Sequence, residues 1–221
     1  MKQVAVMIDA GFFSKKFREA NNKYPWAKHV VEFAKQCVVK DEEELFRIYY
    51  YDCPPFEDNI KEPLSGRLIE YKSMPQTLIA KRFQSELSKS NYVAFRKGYL
   101  SFDGWILKQE SLEELMARPR ILTPNDFMPL FRQKKVDIKI GLDVAWLASK
   151  KIVDRIILVA GDYDFEPVMK FARKEGIQVV LVTLRHAQIK GELQEHCDIF
   201  RSVELPKFEV KKPEKIEIVK V

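Results

Sequence analysis

The apolar positions of the chain fall into short continuous runs separated by stretches of helical period. Residues 4–8 are all apolar and stop at Asp9, the pattern of a strand covered on both faces. Residues 27–38 carry apolar side chains at helical spacing, and residues 45–51 are dense in aromatic and branched side chains. The latter read as a second strand, ended by Asp52-Cys53-Pro54-Pro55, because proline cannot continue a strand ladder. A helical stretch is predicted around 64–87, followed by a hairpin with arms 92–97 and 100–107, a turn near Gly98 and a bend at Asp103-Gly104. The last third alternates regularly. It reads as helix 138–150, strand 156–160, helix 165–174 stopped by Gly176, strand 177–184, helix 188–196 and strand 199–205. Alternation of this kind predicts βαβ units and an α/β fold with a mainly parallel sheet. No internal repeat is present.

At 221 residues the chain has the length of one domain with an insertion, enough to bury a core without staples. With 46% hydrophobic and 32% charged residues, disordered and collagen-like classes are excluded. The longest clean apolar run, 156–160, is far too short to cross a membrane. The N-terminus turns acidic at Asp9, too soon for a secretory signal. Cys37, Cys53 and Cys197 show no C-x-x-C spacing, which argues against a disulfide framework or zinc ribbon and fits a reducing, cytoplasmic setting.

Charge adds a candidate partner. Residues 72–101 hold six basic residues (Lys72, Lys81, Arg82, Lys89, Arg96 and Lys97) against Glu86 alone, interleaved with Phe83, Tyr92, Phe95 and Tyr99. Cations among aromatic rings suit a polyanion with stackable bases. A solvated helix and an ordinary hairpin would carry the same residues, and exposed hairpin aromatics would serve equally as a homodimer contact.

Aspartates supply the candidate chemistry. In open α/β sheets ligands bind beyond the carboxyl ends of the strands, and Asp9, Asp162 and Asp164 directly follow two predicted strands. Two have a plainer use, Asp9 as the start of a loop and Asp164 as the N-cap of the helix from 165, whereas Asp162 is a second carboxylate in a loop whose cap needs only one. Asp143 lies within an apolar helix that should be largely buried. A carboxylate there needs a cation or donors. It either pairs with Lys139 one turn back, or faces the strand ends with Asp9 and Asp162 around a metal. Asp137, six residues earlier, is an N-cap or hangs from the helix end into the same site. A set of carboxylates without cysteine or histidine is a hard-oxygen site, which selects Mg²⁺ or Mn²⁺ over Zn²⁺. Such ions serve phosphodiester hydrolysis without a Ser or Cys nucleophile. His29, His186 and His196 fall outside these motifs.

The ordered series Ile8-Asp9-Ala10-Gly11, Lys134-Lys135-Val136-Asp137-Ile138-Lys139-Ile140-Gly141-Leu142-Asp143 and Val159-Ala160-Gly161-Asp162-Tyr163-Asp164-Phe165 resembles the NYN domain family, in its LabA-like branch, of the PIN-like nucleases. Arg47–Phe56, Arg96-Lys97-Gly98-Tyr99-Leu100 with Gly104-Trp105, and Cys197-Asp198-Ile199-Phe200 resemble further motifs of that branch. The likeness spans residues 1–205, with a basic helix and hairpin insertion at about 64–108 and a charged tail at 206–221. It implies a PIN-like Rossmannoid three-layer sandwich, a Mg²⁺ or Mn²⁺ cofactor, and a ribonuclease that hydrolyses RNA with metal-activated water. Asp9, Asp143 and Asp162 would hold the ion, with Asp137 and Asp164 assisting. Lys81, Arg82, Arg96, Lys97 and Lys139 would grip RNA. Two departures stand out: Phe12 replaces the Asn found in many members, and residues 185–189 lack a Ser before the penultimate helix.

A non-catalytic RNA-binding or regulatory module of the same fold is the alternative reading. A dehalogenase-type phosphatase needs Asp two residues after its nucleophile, where this chain has Gly11. No glycine loop of the Walker or dinucleotide type is present.

Overall fold

The computed structural model describes residues 1–184 and 191–208. In chain order its elements are β1 (Lys2–Asp9), α1 (Ala10–Asn21), α2 (Ala27–Gln36), β2 (Glu43–Asp52), β3 (Asn59–Lys61), β4 (Leu68–Glu70), α3 (Pro75–Ser88), β5 (Val93–Lys97) and β6 (Tyr99–Leu107). There follow α4 (Gln109–Ala117), β7 (Phe127–Lys134), α5 (Val136–Ser149), β8 (Arg155–Val159), α6 (Glu166–Lys174), β9 (Gln178–Val182), α7 (Gly191–Gln194) and β10 (Ile199–Arg201). The main sheet has the order β10-β9-β8-β1-β2-β5, and every pair in it is parallel.

Strand alternation divides the core into two layers. Val4, Val6 and Ile8 of β1, Ile48 and Tyr50 of β2, and Ile157 and Val159 of β8 meet Phe13 and Phe17 of α1, Phe33 of α2 and Leu87 of α3. Their neighbours Ala5, Met7, Tyr49, Tyr51, Ile156 and Leu158 meet Ile140, Val144 and Leu147 of α5 and Met169 of α6. Both faces are therefore covered, which is why these strands read as unbroken apolar runs. The α/β fold with a parallel sheet expected from the alternation is present, and with helices on both faces it has the three layers that the resemblance implied.

Several elements differ from the expectations. The arms 92–97 and 100–107 do not form a hairpin with each other. β5 joins the main sheet beside β2, while β6 pairs antiparallel with β7 in a separate ribbon. Gly98 is the point of departure: a Cβ there would lie 2.8 Å from Cys53 Sγ and Val136 Cγ2, so only glycine lets the chain cross there. The predicted helix at 64–87 begins only at Pro75, after the small β3–β4 hairpin. Helix α1, α4 and strand β7 were not foreseen. α1 was legible in the spacing of Ala10, Phe13 and Phe17, which are its buried residues. Helix α5 is buried on one face only. Ile138, Leu142 and Trp146 are exposed along the other, so its apolar composition overstated its burial. Part of the predicted helix 188–196, the 185–189 departure and most of the tail lie outside the described residues.

At the amino ends of the strands, buried Glu43 accepts hydrogen bonds from Arg155, from Arg201 at 2.9 and 3.0 Å, and from the Val39 amide at 2.7 Å. Burial alone would raise its pKa. The donors from Arg201, Val39 and Arg155 outweigh that and bring it to about 2. Its stabilising contribution is present above the unfolded carboxylate pKa and is lost as pH falls toward 2. Replacing Glu43 by Gln leaves Arg155 buried without a counter-charge. It is expected to cost ~3 kcal/mol in urea unfolding at pH 7. A change under ~1 kcal/mol would show the network to be dispensable.

Candidate active site

β1 and β8 are neighbours, with Ile8 opposite Val159. The chain leaves β1 for β2 and β5 on one side, while β8, β9 and β10 lie on the other. This is the switch point at which α/β sheets open a crevice. Asp9 ends β1, and Asp162 lies just beyond β8, so strand register alone sets them side by side.

Both act as helix caps. Asp9 is the N-cap of α1, and its Oδ1 accepts from the Gly11 amide at 3.0 Å. Asp162 caps the 3₁₀ turn Tyr163–Phe165, accepting from the Asp164 amide at 3.1 Å. The capping role expected of Asp164 thus belongs to Asp162, and Asp164 sits in the turn itself. Asp137 lies in the first turn of α5 and does not cap it. The cap is Lys135, in the left-handed conformation at φ 71°. Acids at these positions meet the positive ends of helix dipoles, which offsets part of their mutual repulsion.

Asp9, Asp137 and Asp162 line one open cleft of about 580 Å³ with Gly11, Phe12, Lys15 and Gln133 among its other walls. Burial raises the Asp9 carboxyl to about 6. The Gly11 and Phe12 amides oppose the shift, and the charges of Asp137 and Asp162 add to it. Asp137 is raised too, first by loss of water around it, then by Asp162 and Asp164. The cleft therefore gathers three carboxylates, none of which has an ion pair among the described residues.

Asp143 does not share this cleft, contrary to the expectation that it would join Asp9 and Asp162. Its carboxylate is held by Arg96 in a two-pronged pair at 2.8 and 2.5 Å and by the Tyr51 hydroxyl at 3.0 Å. The partner is Arg96 of β5, and not Lys139. A helix turns 100° per residue, so residues six apart point differently, and β5 presents a guanidinium to the side where Asp143 points. The Arg96 side chain also lies 5.6 Å from the centre of the Tyr49 ring.

The same pairing revises the predicted RNA grip. Arg96 is committed to Asp143, Lys81 bonds Glu57 at 2.8 Å, and Arg82 bonds Glu86 at 2.8 Å. Lys97 and Lys139 have no ion pair among the described residues. Phe83 and Phe95 pack against Tyr50 in the core layer, so they are not free to stack on bases. The cleft also holds Phe12, noted above as a departure, and Lys15 and Gln133, which the sequence alone does not point to. Lys15 follows Gly11 by one helical turn, a signal that required α1 to be recognised.

An ion of the Mg²⁺ or Mn²⁺ class suits this all-oxygen donor set. Among the described residues no three His, Cys, Asp or Glu side chains stand at ligand spacing. Mg²⁺ nonetheless keeps several waters and is commonly held by one or two carboxylates plus substrate phosphate. Asp9 and Asp162 are the residues that would hold it.

Phe12, the departure from the family pattern, packs against Gly161, where a Cβ would stand 2.4 Å from its ring. Gly161→Ala must push the ring or the Asp162 loop aside. It is expected to destabilise by ~2 kcal/mol, with most of the loss recovered in the Phe12→Ala background. Additive losses in a double-mutant cycle would dissociate the two. A second expectation concerns charge. Because Asp9 holds its proton more tightly folded than unfolded, moving from an ordinary 3.8 to about 6, its ionisation costs the fold up to ~3 kcal/mol above pH 6, and the cost fades as pH falls toward 4. Asp9→Asn should therefore raise Tm in EDTA at pH 8, with a smaller gain at pH 4. An equal or lower Tm at pH 8 would contradict the assigned environment.

Comparison with known proteins agrees with this architecture. A solved structure of a protein of unknown function from Vibrio parahaemolyticus aligns with a TM-score of 0.52 at 16% identity, covering 91% of this chain and 92% of that one. At that identity the likeness concerns the fold alone. No curated protein sequence matches the chain significantly. Among the described residues no helix is long and apolar enough to cross a membrane. The family model for the NYN domain matches residues 3–204. With acids gathered at the switch point of a parallel sheet and nearly its whole length matched, the chain belongs to the NYN domain family, of the PIN-like nuclease superfamily.

Proposed function

We propose that this protein is a metal-dependent ribonuclease acting at the cleft of Asp9, Asp137 and Asp162. The observation that carries the reading is the convergence of these three carboxylates on one cleft at the switch point of the sheet, with no ion pair to any of them among the described residues. A fold that needed only stability would neutralise such a cluster, as this one neutralises Glu43 at the opposite end of the sheet. When bound, a Mg²⁺ or Mn²⁺ ion polarises a phosphoryl oxygen and acidifies water. Asp9 and Asp162 would hold it, each fixed in direction by the amide its oxygen accepts from. Asp137, on the cleft wall, would accept a proton from attacking water, and Asp164 would act on it only through its charge. Lys15, on the cleft wall, offsets the repulsion between the acids and an incoming phosphate. Asp143 is a positioning residue in this scheme: through Arg96 and Tyr51 it ties α5, and with it Asp137, to β2 and β5.

End-labelled single-stranded RNA should be cut in Mg²⁺ or Mn²⁺ and left intact in EDTA. Asp162→Asn should lower the rate at least about 100-fold with circular dichroism unchanged, a loss typical of removing a group that acts on developing charge. Full activity of that variant, or cleavage in EDTA, would refute the mechanism. Retained RNA binding with no cleavage in any metal would favour the regulatory module.

A further inference from the structure

The acid cleft does not end at the acids. It shares Gly11 and Lys15 with a second cleft of about 560 Å³, lined also by Ser14, Arg18, Glu19, Asn22 and Tyr24. These are successive positions on one face of α1 and the loop after it. At a rise of about 1.5 Å per residue, Gly11 and Asn22 are about 16 Å apart along the helix. A continuous path therefore leads from the carboxylates along α1.

Its chemistry differs from that of the basic stretch at 72–101. Lys15 and Arg18 are exposed, with no acidic partner among the described residues. Glu19, the acid on this face, pairs with Lys16 at 2.7 Å. Tyr24 is 62% exposed at the far end. The Arg18 guanidinium lies 5.4 Å from the centre of its ring and donates to its hydroxyl at 3.0 Å. An exposed ring backed by a cation, one helical turn beyond a free lysine, offers phosphate contacts and a stacking surface in line.

We infer that the face of α1 formed by Lys15, Arg18 and Tyr24 is the binding track for single-stranded nucleic acid leading into the acid cleft. The inference rests on the nuclease reading for its direction, since the cleft gives the track its end, but it is tested independently. Lys15 meets the phosphate nearest the acids, Arg18 the next along the chain, and Tyr24 stacks on a base. A base in a duplex presents no free face to such a ring, so the track selects unpaired strands. Lys81, Arg82 and Arg96 of the basic stretch are each engaged with an acid, which reduces the charge that stretch offers as a competing route.

The test is fluorescence anisotropy of a labelled single-stranded oligouridine with the full chain in EDTA, where nothing is cut, over a salt series. Lys15→Ala with Arg18→Ala should weaken binding at least about tenfold and shallow the salt slope by about one to two. Tyr24→Leu should weaken it about tenfold, with less effect on slope. Lys150→Ala, at the far end of α5, controls for loss of one charge and should bind like the wild type. All these positions are exposed, and circular dichroism checks the fold. Unchanged affinity in the Lys15 and Arg18 variant overturns the track, as does a preference for duplex, a loss that follows Lys81 and Lys97 instead, or no binding of any oligonucleotide. Wild-type cleavage in Mg²⁺ or Mn²⁺, measured beside the binding series, separates the two readings: binding that needs Lys15 and Arg18 with no cleavage in either metal keeps the track and ends the nuclease mechanism, and cleavage that needs Asp162 with binding unaltered in the Lys15 and Arg18 variant does the reverse.

Discussion

The parallel pairing of β1 with β8 is the constraint on which the site depends. Ile8 opposite Val159 puts the carboxyl ends of both strands at one level. The residues that follow, Asp9 and the Gly161-Asp162 turn, have nowhere else to go. Each strand then feeds a helix or 3₁₀ turn whose first free amides take the aspartate oxygens. The cluster is held by ladder hydrogen bonds and helix starts, with no loop asked to fold around it. A shift of one residue in this pairing would turn every β1 side chain to the opposite layer and carry Asp9 away from the crevice.

The two ends of the sheet treat charge in opposite ways. At the amino end, Glu43 sits between Arg155 and Arg201 with its oxygens satisfied. At the carboxyl end, Asp9, Asp137 and Asp162 line one open cleft, where burial, and after it the neighbouring charges, raise the affinity of Asp9 and Asp137 for protons. Helix starts relieve that repulsion only in part. The contrast separates a charge network that holds strands together from one that the fold tolerates at a cost. Between them, Asp143 and Arg96 form a third case, an ion pair in half-buried surroundings that fastens α5 to the sheet edge.

The acidic motif was legible because its chemistry is local: an aspartate after an apolar run marks a strand end, and two such ends in one parallel sheet imply a shared crevice. Asp143 was misread because helix composition does not reveal which side a neighbouring strand will supply with a cation. β5 supplies Arg96 there only because β5 leaves its expected partner β6 and joins β2. The hairpin failed for a related reason. The Gly98 turn signal was real, but it marks a crossing between two sheets, tight against Cys53 and Val136. Lys15, Arg18 and Tyr24 went unnoticed because their alignment exists only on the α1 face.

The amino-acid sequence by itself determined the alternation of strands and helices, the parallel character of the sheet and the acids at its switch point. Those features follow from periodicity and from the chemistry of strand ends, which are properties of short segments. Only the tertiary structure decided which cations are spent on ion pairs, which acids share a cleft, and which face of α1 opens beside it. These depend on side chains far apart in the chain meeting at a few ångströms, and pairing of that kind is set by packing between layers and leaves no mark in the local pattern.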